Sequence, residues 1–419
     1  MKTSKIATCQ IALLAIAFCV NGIYCLNFLK KYANYSNNWR CDLFYRYHEI
    51  VCMHEGIDPF DIFERKITSK KYIGYERPDK PNEPVNGRRI VHAYLAWHAA
   101  LFWWYGYVHK WACLAVMASL YFCILFLVSR WTFHNMIVNN FHEHVINILF
   151  LFIILLYSLV GIYCSLNYGL LLLGCTLLLY KTLERGYDML AGLIYSIIMI
   201  KPQVGLLLIF PLIFNKKYKT IILAAFICFF ETCFTAYMLN KSPIELILQI
   251  PKIGAPFGKV FLAENIMKII GPFGQYINMG IFMSLAAAGS YLTRNTKEIW
   301  MRFIPAIAFV PFWTYSQPHD WLVTLPCYVY ILNSKDKNPR IFTFCIFAAF
   351  LRSFMLYAHS IKFYSLGKAG IAVGLHLALA LVCCLMVILD AEGNEPIHNL
   401  VSKLASFREK HSLNNHHNK

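Results

Sequence analysis

The chain has 419 residues, 58% of them hydrophobic and only 15% charged, with a formal net charge of +17. Soluble domains keep about a quarter of their residues charged, so a surface facing water throughout is excluded. The Lys and Arg residues sit in short gaps between apolar runs, which argues against nucleic acid and for anionic lipid headgroups or a phosphate-bearing substrate.

Apolar runs of about 20 residues, long enough to cross hydrocarbon as helices, recur along the chain. The first follows Met1-Lys2-Thr3-Ser4-Lys5 and spans roughly 6–28. It is longer than a signal-peptide core and no small-x-small cleavage site follows it, so an uncleaved anchor is expected. Region 30–106 is a large, basic polar insertion. Its amphipathic pieces, Leu43–His54 and Val91–Tyr105, are expected to lie on the outer surface and roof a cavity, with Trp97, Trp103, Trp104 and Tyr105 at the membrane–water interface. Further membrane segments are read at 107–129, 144–164, 168–183, 219–238, 277–293, 299–315, 320–333, 341–358 and 368–389. The stretch 188–214 is also apolar, but Lys201-Pro202 interrupts it. Proline removes a helix donor and disfavours helix in the residue before it, so two short half-helices are predicted, in and back out. The polar tail 391–419 carries His411, His416 and His417 and reads as a solvated end rather than a metal site. The expected fold is an all-α polytopic bundle over residues 1–390, with about 10–12 transmembrane helices.

Orientation follows from charge. Lys181/Arg185, Lys216/Lys217/Lys219, Arg294/Lys297 and Lys335/Lys337/Arg340 belong in the cytoplasm by the positive-inside rule, and one alternation satisfies all of them. Both termini are then cytoplasmic. Region 30–106, the Lys201-Pro202 break, 240–276 and the link Ser316–Asp320 fall on the opposite face. The 15 cysteines are scattered without a C-x-x-C and mostly lie in apolar runs, where thiols pack as small hydrophobes. Cys41 and Cys52 share one loop and are read as free thiols, a disulfide between them being the alternative.

Neither G-x-x-x-x-G-K-[ST] nor G-x-G-x-x-G after a strand is present, so an ATPase or dinucleotide site has no support. His48-Glu49 and His54-Glu55 do not make a zincin pattern, because the two histidines are six apart. No metal site and no cofactor are expected. Asp42 lies just beyond the first membrane segment. A carboxylate close to a bilayer is costly unless paired or held in a cavity, and partial loss of hydration would make it a better proton acceptor. The alternative is a salt bridge to Arg40 or Arg46. His319 and Asp320 are wedged between two apolar runs, as functional polar residues often are; a helix cap and a hydrogen-bonded histidine would explain them equally. Lys201 is the lone charge of its apolar stretch, suited to binding phosphate or to snorkelling toward the interface.

Three stretches together resemble the GT-C membrane glycosyltransferases, specifically glycosyltransferase family 87, the polyprenyl-phosphate-mannose-dependent α-mannosyltransferases. They are Cys41-Asp42-Leu43-Phe44-Tyr45 with Gly56-Ile57-Asp58-Pro59-Phe60; Asn167-Tyr168-Gly169-Leu170 through Gly192 to Lys201-Pro202; and Ser316-Gln317-Pro318-His319-Asp320-Trp321. The likeness covers most of residues 1–390. The family's Gly-Gln-x-Asn stands here as Leu166-Asn167-Tyr168-Gly169, and its Tyr-Pro-Pro-like element as His92-Ala93-Tyr94-Leu95-Ala96-Trp97. The resemblance implies an inverting hexosyltransferase of a bacterial inner membrane, working on the periplasmic side. Its donor would be a sugar on polyprenyl phosphate, and its acceptor a glycan or glycolipid. Asp42 would be the general base and His319 the donor phosphate contact. Asp58, Asn167 and Asp320 would line the substrate site. Arg88, Arg89, Lys201, Arg352 and Lys362, all near the predicted outer side, would offset charge on the departing phosphate. A transporter or flippase of lipid-linked saccharides is the alternative, although the internal hydropathy repeats common in transporters are absent. A glycan polymerase or ligase is a third reading.

Overall fold

The structure, a computed structural model, describes residues 10–20, 42–64, 69–74, 89–91, 96–136, 143–153, 167–254, 274–313, 318–334, 339–360 and 366–391, with 22, 23, 26, 66 and 155. The described chain is helical. In order it forms α1 (Gln10–Val20), α2 (Asp42–His54), α3 (Pro59–Phe63), α4 (Ala96–Leu101), α5 (Lys110–Asn135) and α6 (Glu143–Ile153). These are followed by α7 (Gly169–Glu184), α8 (Asp188–Ile198), α9 (Pro202–Phe214), α10 (Tyr218–Met238) and α11 (Pro243–Gly254). The remainder is α12 (Gly274–Leu292), α13 (Ile299–Arg302), α14 (Ile304–Ala308), α15 (Leu325–Asn333), α16 (Pro339–Ser360) and α17 (Leu366–Asp390). Short 3-10 turns cover Trp103–Tyr107 and Pro318–Thr324. This agrees with the all-α expectation, the one exception among the described residues being a three-residue parallel pair, β1 (Tyr72–Gly74) with β2 (Arg89–Val91).

Helices α5 and α10 are long and apolar enough to cross a membrane. In α5 the buried positions are Cys113, Met117, Tyr121, Ile124, Val128 and Thr132, one stripe at the helical period, while Phe122, Phe126 and Leu127 are exposed. The pattern of α10 runs the same way. It buries Thr220, Ala224, Thr232, Thr235 and Ala236 and exposes Ile222, Phe226, Phe229 and Phe230. In α10 the inward residues are small and the outward ones large and apolar, the pattern of a helix whose outer solvent is lipid.

Between them lies the stretch broken by proline. Helix α8 ends at Ile198, Lys201 is extended, and Pro202 opens α9, as the sequence predicts. At 1.5 Å per residue the two helices reach only about 16 and 20 Å, short of the roughly 30 Å hydrocarbon core. The hinge is sealed by close packing. A Cβ on Gly205 would lie 2.5 Å from Met199 Sδ and 3.2 Å from its Cα, so only glycine lets α9 pass this close to the end of α8. Tyr195 OH donates to Gly205 O at 2.9 Å. Helix α8 packs along both α7 and α10.

Two expectations are corrected. The segment 299–315 is not one helix: α13 and α14 meet at Phe303, and turns follow α14. Pro305 and Pro311 each remove a helix donor, which is the local cause. The amphipathic pieces of 30–106 do not rest on the surface. Leu43, Ile50, Ala99 and Tyr105 are buried in the main core, and Trp103, expected at the interface, is 8% exposed. Trp97 Nε1 donates to Met199 O at 2.9 Å and Thr235 Oγ1 to Ala96 O at 2.8 Å, which docks α4 onto the hinge and onto α10. His54 stacks on Trp103 with ring centroids 4.1 Å apart. Cys52 is a buried free thiol; Cys41 lies outside the described residues.

Candidate active site

Four polar residues stand at or near the starts of four elements and meet. Asp42 is the first residue of α2, where a carboxylate suits the positive end of the helix dipole. Asn167 precedes α7, and its backbone carbonyl accepts from Tyr121 OH of α5 at 2.8 Å. Lys201 caps α9, its own carbonyl receiving the amides of Val204 and Gly205. Asp320 lies in the 3-10 turn before α15 and is fully buried.

Asn167 bridges the set. Its Nδ2 donates to Asp42 Oδ2 at 2.5 Å, and its Oδ1 accepts from Lys201 Nζ at 2.6 Å. Lys201 in turn forms an ion pair with Asp320. Both ion-pair side chains are almost completely buried, at 3% and 1% exposure. The snorkelling reading of Lys201 therefore fails: its ammonium points inward to two protein acceptors. Asp42 is half-buried. Among the described residues it accepts a hydrogen bond from Asn167 and makes no ion pair, so the alternative of a salt bridge to Arg46 is not realised.

Arg46 and Glu49 follow Asp42 on the same face of α2, at i+4 and i+7. Arg46 Nη1 donates to Glu49 Oε2 at 2.6 Å, and both residues are buried. Opposite them, His98 of α4 is 1% exposed and packs against Tyr168 and Phe102. Burial, with the Arg46 and Lys201 cations adding, holds its imidazole neutral, well below the ordinary histidine range. Among the described residues the polar core thus holds three carboxylates and two cations, with the half-buried Asp42 at its edge.

The other expected site residues are placed as follows. The backbone of His319 lies in the same turn as Asp320, one residue before it; its side chain is outside the described residues, as is that of Arg352 in α16. Arg88 and Lys362 are outside the described residues altogether. Arg89, in β2, has its guanidinium 5.9 Å from the Tyr72 ring centroid. Asp58 belongs to a different cluster. It caps α3 by accepting from Phe60 N at 2.8 Å, and it pairs with Lys241 at 2.6 Å and accepts from Gln249 at 3.2 Å. Lys241 also pairs with Asp61 at 2.6 Å. Burial alone would lower the Lys241 pKa, but the two aspartates raise it above the usual lysine value. This cluster ties α3 to the connection between α10 and α11.

Sequence reasoning did not single out His98, Tyr121 or Lys241, and it set Glu49 aside. Only Glu49 left a signal, through its i+7 spacing from Asp42. Among the described residues no group of three or more His, Cys, Asp or Glu side chains is arranged to hold a metal ion. Comparison with known proteins returns no match, whether to a family profile, a curated protein or a solved structure.

Proposed function

We propose that the chain is a multi-pass inverting glycosyltransferase that moves a hexose, mannose by resemblance, from polyprenyl phosphate to a glycan or glycolipid. The site would face the outer side of a bacterial cytoplasmic membrane. The observation that carries this reading is the hydrogen-bonded line Asp42–Asn167–Lys201–Asp320. It joins, in space, the three separate stretches on which the resemblance to family 87 rests. In this reading Asp42 takes the proton of the acceptor hydroxyl as its oxygen bonds to the anomeric carbon of the donor sugar. The bond from that carbon to the phosphate oxygen breaks, and its electron pair leaves on the lipid phosphate. Positioned cations and donors that offset this charge lower the barrier most. By the resemblance His319, in the same turn as Asp320, would contact the donor phosphate. Lys201, held by Asp320 and Asn167, orients the site from within. A nucleotide sugar, made in the cytoplasm, would not reach an outer site, so the donor must arrive in the membrane.

The test is transfer in lipid nanodiscs from radiolabelled polyprenyl-phosphate-mannose to candidate acceptors. Asp42→Asn keeps the size of the side chain and removes proton acceptance. It should lower turnover per folded molecule by roughly 100-fold or more, the usual contribution of a positioned base. Full specific activity in Asp42→Asn, or equal use of the nucleotide sugar, would overturn the proposal. Movement of the intact lipid-linked saccharide across the bilayer without sugar transfer would favour a flippase.

A further inference from the structure

We infer that Asn167 is a positioning residue that claims one oxygen of Asp42 and leaves the other, Oδ1, as the atom that accepts the proton. This rests on the role proposed for Asp42. The two ends of the Asn167 amide face opposite charges. Its carbonyl oxygen meets the Lys201 ammonium, and its NH2 meets the Asp42 carboxylate. Flipping the amide would set NH2 against ammonium and carbonyl against carboxylate, so both contacts would become repulsive. The orientation is therefore dictated from both sides. Asp320 holds Lys201 from the far side, and Tyr121 OH fixes the Asn167 backbone. The ammonium also polarises the amide, which strengthens the donation from Nδ2, because hydrogen bonds in a chain reinforce one another.

The consequence for the reaction is directional. With Oδ2 occupied by Asn167, the acceptor O–H must approach Oδ1. The proton passes from the hydroxyl to Oδ1 as the new bond to the anomeric carbon forms and the phosphate leaves with its electron pair. Donation from Asn167 Nδ2 favours the ionised form of the carboxylate it contacts. Among the described residues, the charged and titratable groups around this spot are Arg46 and Glu49 of α2, His98 of α4, Lys201 ahead of α9 and Asp320 of the 3-10 turn. Arg89 of β2 and Lys110 of α5 flank α2, both acting on His48. Substituting Asn167 removes none of these groups, although it takes one acceptor from Lys201.

The experiment has two readouts on full-length protein in nanodiscs. One is the acid limb of the kcat/KM profile for mannose transfer. The other needs no activity: isotope-edited infrared titration of aspartate carboxyls, with the Asp42 band identified by its loss in Asp42→Asn. In Asn167→Leu both midpoints should move to higher pH, because the ionised carboxylate loses the donor that Asn167 supplies. In Asn167→Asp the rise should be larger, because two carboxylates would then share the site. If Asn167→Leu fails to fold, Asn167→Ser and the paired change Lys201→Met/Asp320→Leu carry the same prediction with smaller shifts. An unmoved Asp42 band in the folded variants overturns the inference even if transfer is robust. A shifted band in a protein that transfers nothing upholds the hydrogen-bonded line and overturns the glycosyltransferase reading instead.

Discussion

Breaking the Lys201–Asp320 pair should be far more damaging than removing it. The side chains are 3% and 1% exposed, so neither charge can recover water when its partner is lost. Removing one member of such a pair costs about 3–5 kcal/mol, whereas replacing both by apolar groups of similar volume is often near neutral. Lys201→Met and Asp320→Leu should each lose about that much. The double variant should recover most of it and keep a residual loss of about 1–3 kcal/mol, because the Asn167 carbonyl, which accepted from Lys201 at 2.6 Å, is left without that donor. At about 2 °C per kcal/mol for a chain of this size, the single variants should melt roughly 6–10 °C lower. Tryptophan fluorescence of the 9 Trp residues in detergent micelles reads the transition. If the proposed transfer activity holds, turnover should not follow stability, since the double variant still lacks the group that orients Asn167. Single variants that lose under about 1 kcal/mol would mean the pair is solvated, and a double variant as unstable as the sum of the singles would mean the residues do not interact; either result refutes the reasoning.

Other perturbations test the surrounding frame. Burial, with Arg89 and Lys110 adding, lowers the His48 pKa to about 4. Stability held above the unfolded value near 6.5 should therefore be lost as pH falls through 4, by at most about 3 kcal/mol, and His48→Gln should remove that component from melting curves taken between pH 7 and 4. A Cβ on Gly106 would sit 2.3 Å from the His54 ring, so Gly106→Ala should expel the ring from Trp103 and cost about 1–3 kcal/mol, while His54→Ala in the same chain should relieve most of the loss. With Cys41 as the sole cysteine, an impermeant thiol reagent added outside should label it; a sole cysteine at position 337 should be protected until the membrane is opened, and the reverse pattern would invert the proposed orientation.

Much of the frame was legible because its causes are local. Apolar runs mark the helices, and Lys201-Pro202 marks the hinge by removing a donor and restricting the residue before it. The split of 299–315 has the same kind of cause, in Pro305 and Pro311, yet composition masked it: the stretch is apolar whether helical or not. The ingredients of the site were legible too. Asp42, Lys201 and Asp320 each stand out as polar residues beside or within apolar runs, and Asn167 enters through the family resemblance alone. Their pairing was not, since Asn167 meets Asp42 across 125 positions and Lys201 meets Asp320 across 119. Nothing in a local pattern reports contacts at that separation. His98 was invisible for another reason: its segment, Ala96–Leu101, reads as an apolar helix whose one polar residue should face water, but the helix is covered on that side by Tyr168 and Phe102.

The site lies where α8 gives way to α9, and in the membrane reading proposed above the physics of the bilayer explains why. A backbone break at membrane depth is tolerated only where protein or a wet cavity satisfies the freed groups. Helices α8 and α9 are too short to cross, and their junction is covered by α4, whose Trp97 indole takes the freed Met199 carbonyl. The same junction puts Lys201 inside the protein, where a cation persists only if acceptors are built around it. Asn167 and Asp320 supply them. Once Lys201 is fixed, Asn167 can face it in one orientation only, and that orientation turns a donor toward Asp42. The proline that interrupts the helix is therefore the first cause in a sequence of constraints that ends at a half-buried carboxylate with one oxygen held and the other left open.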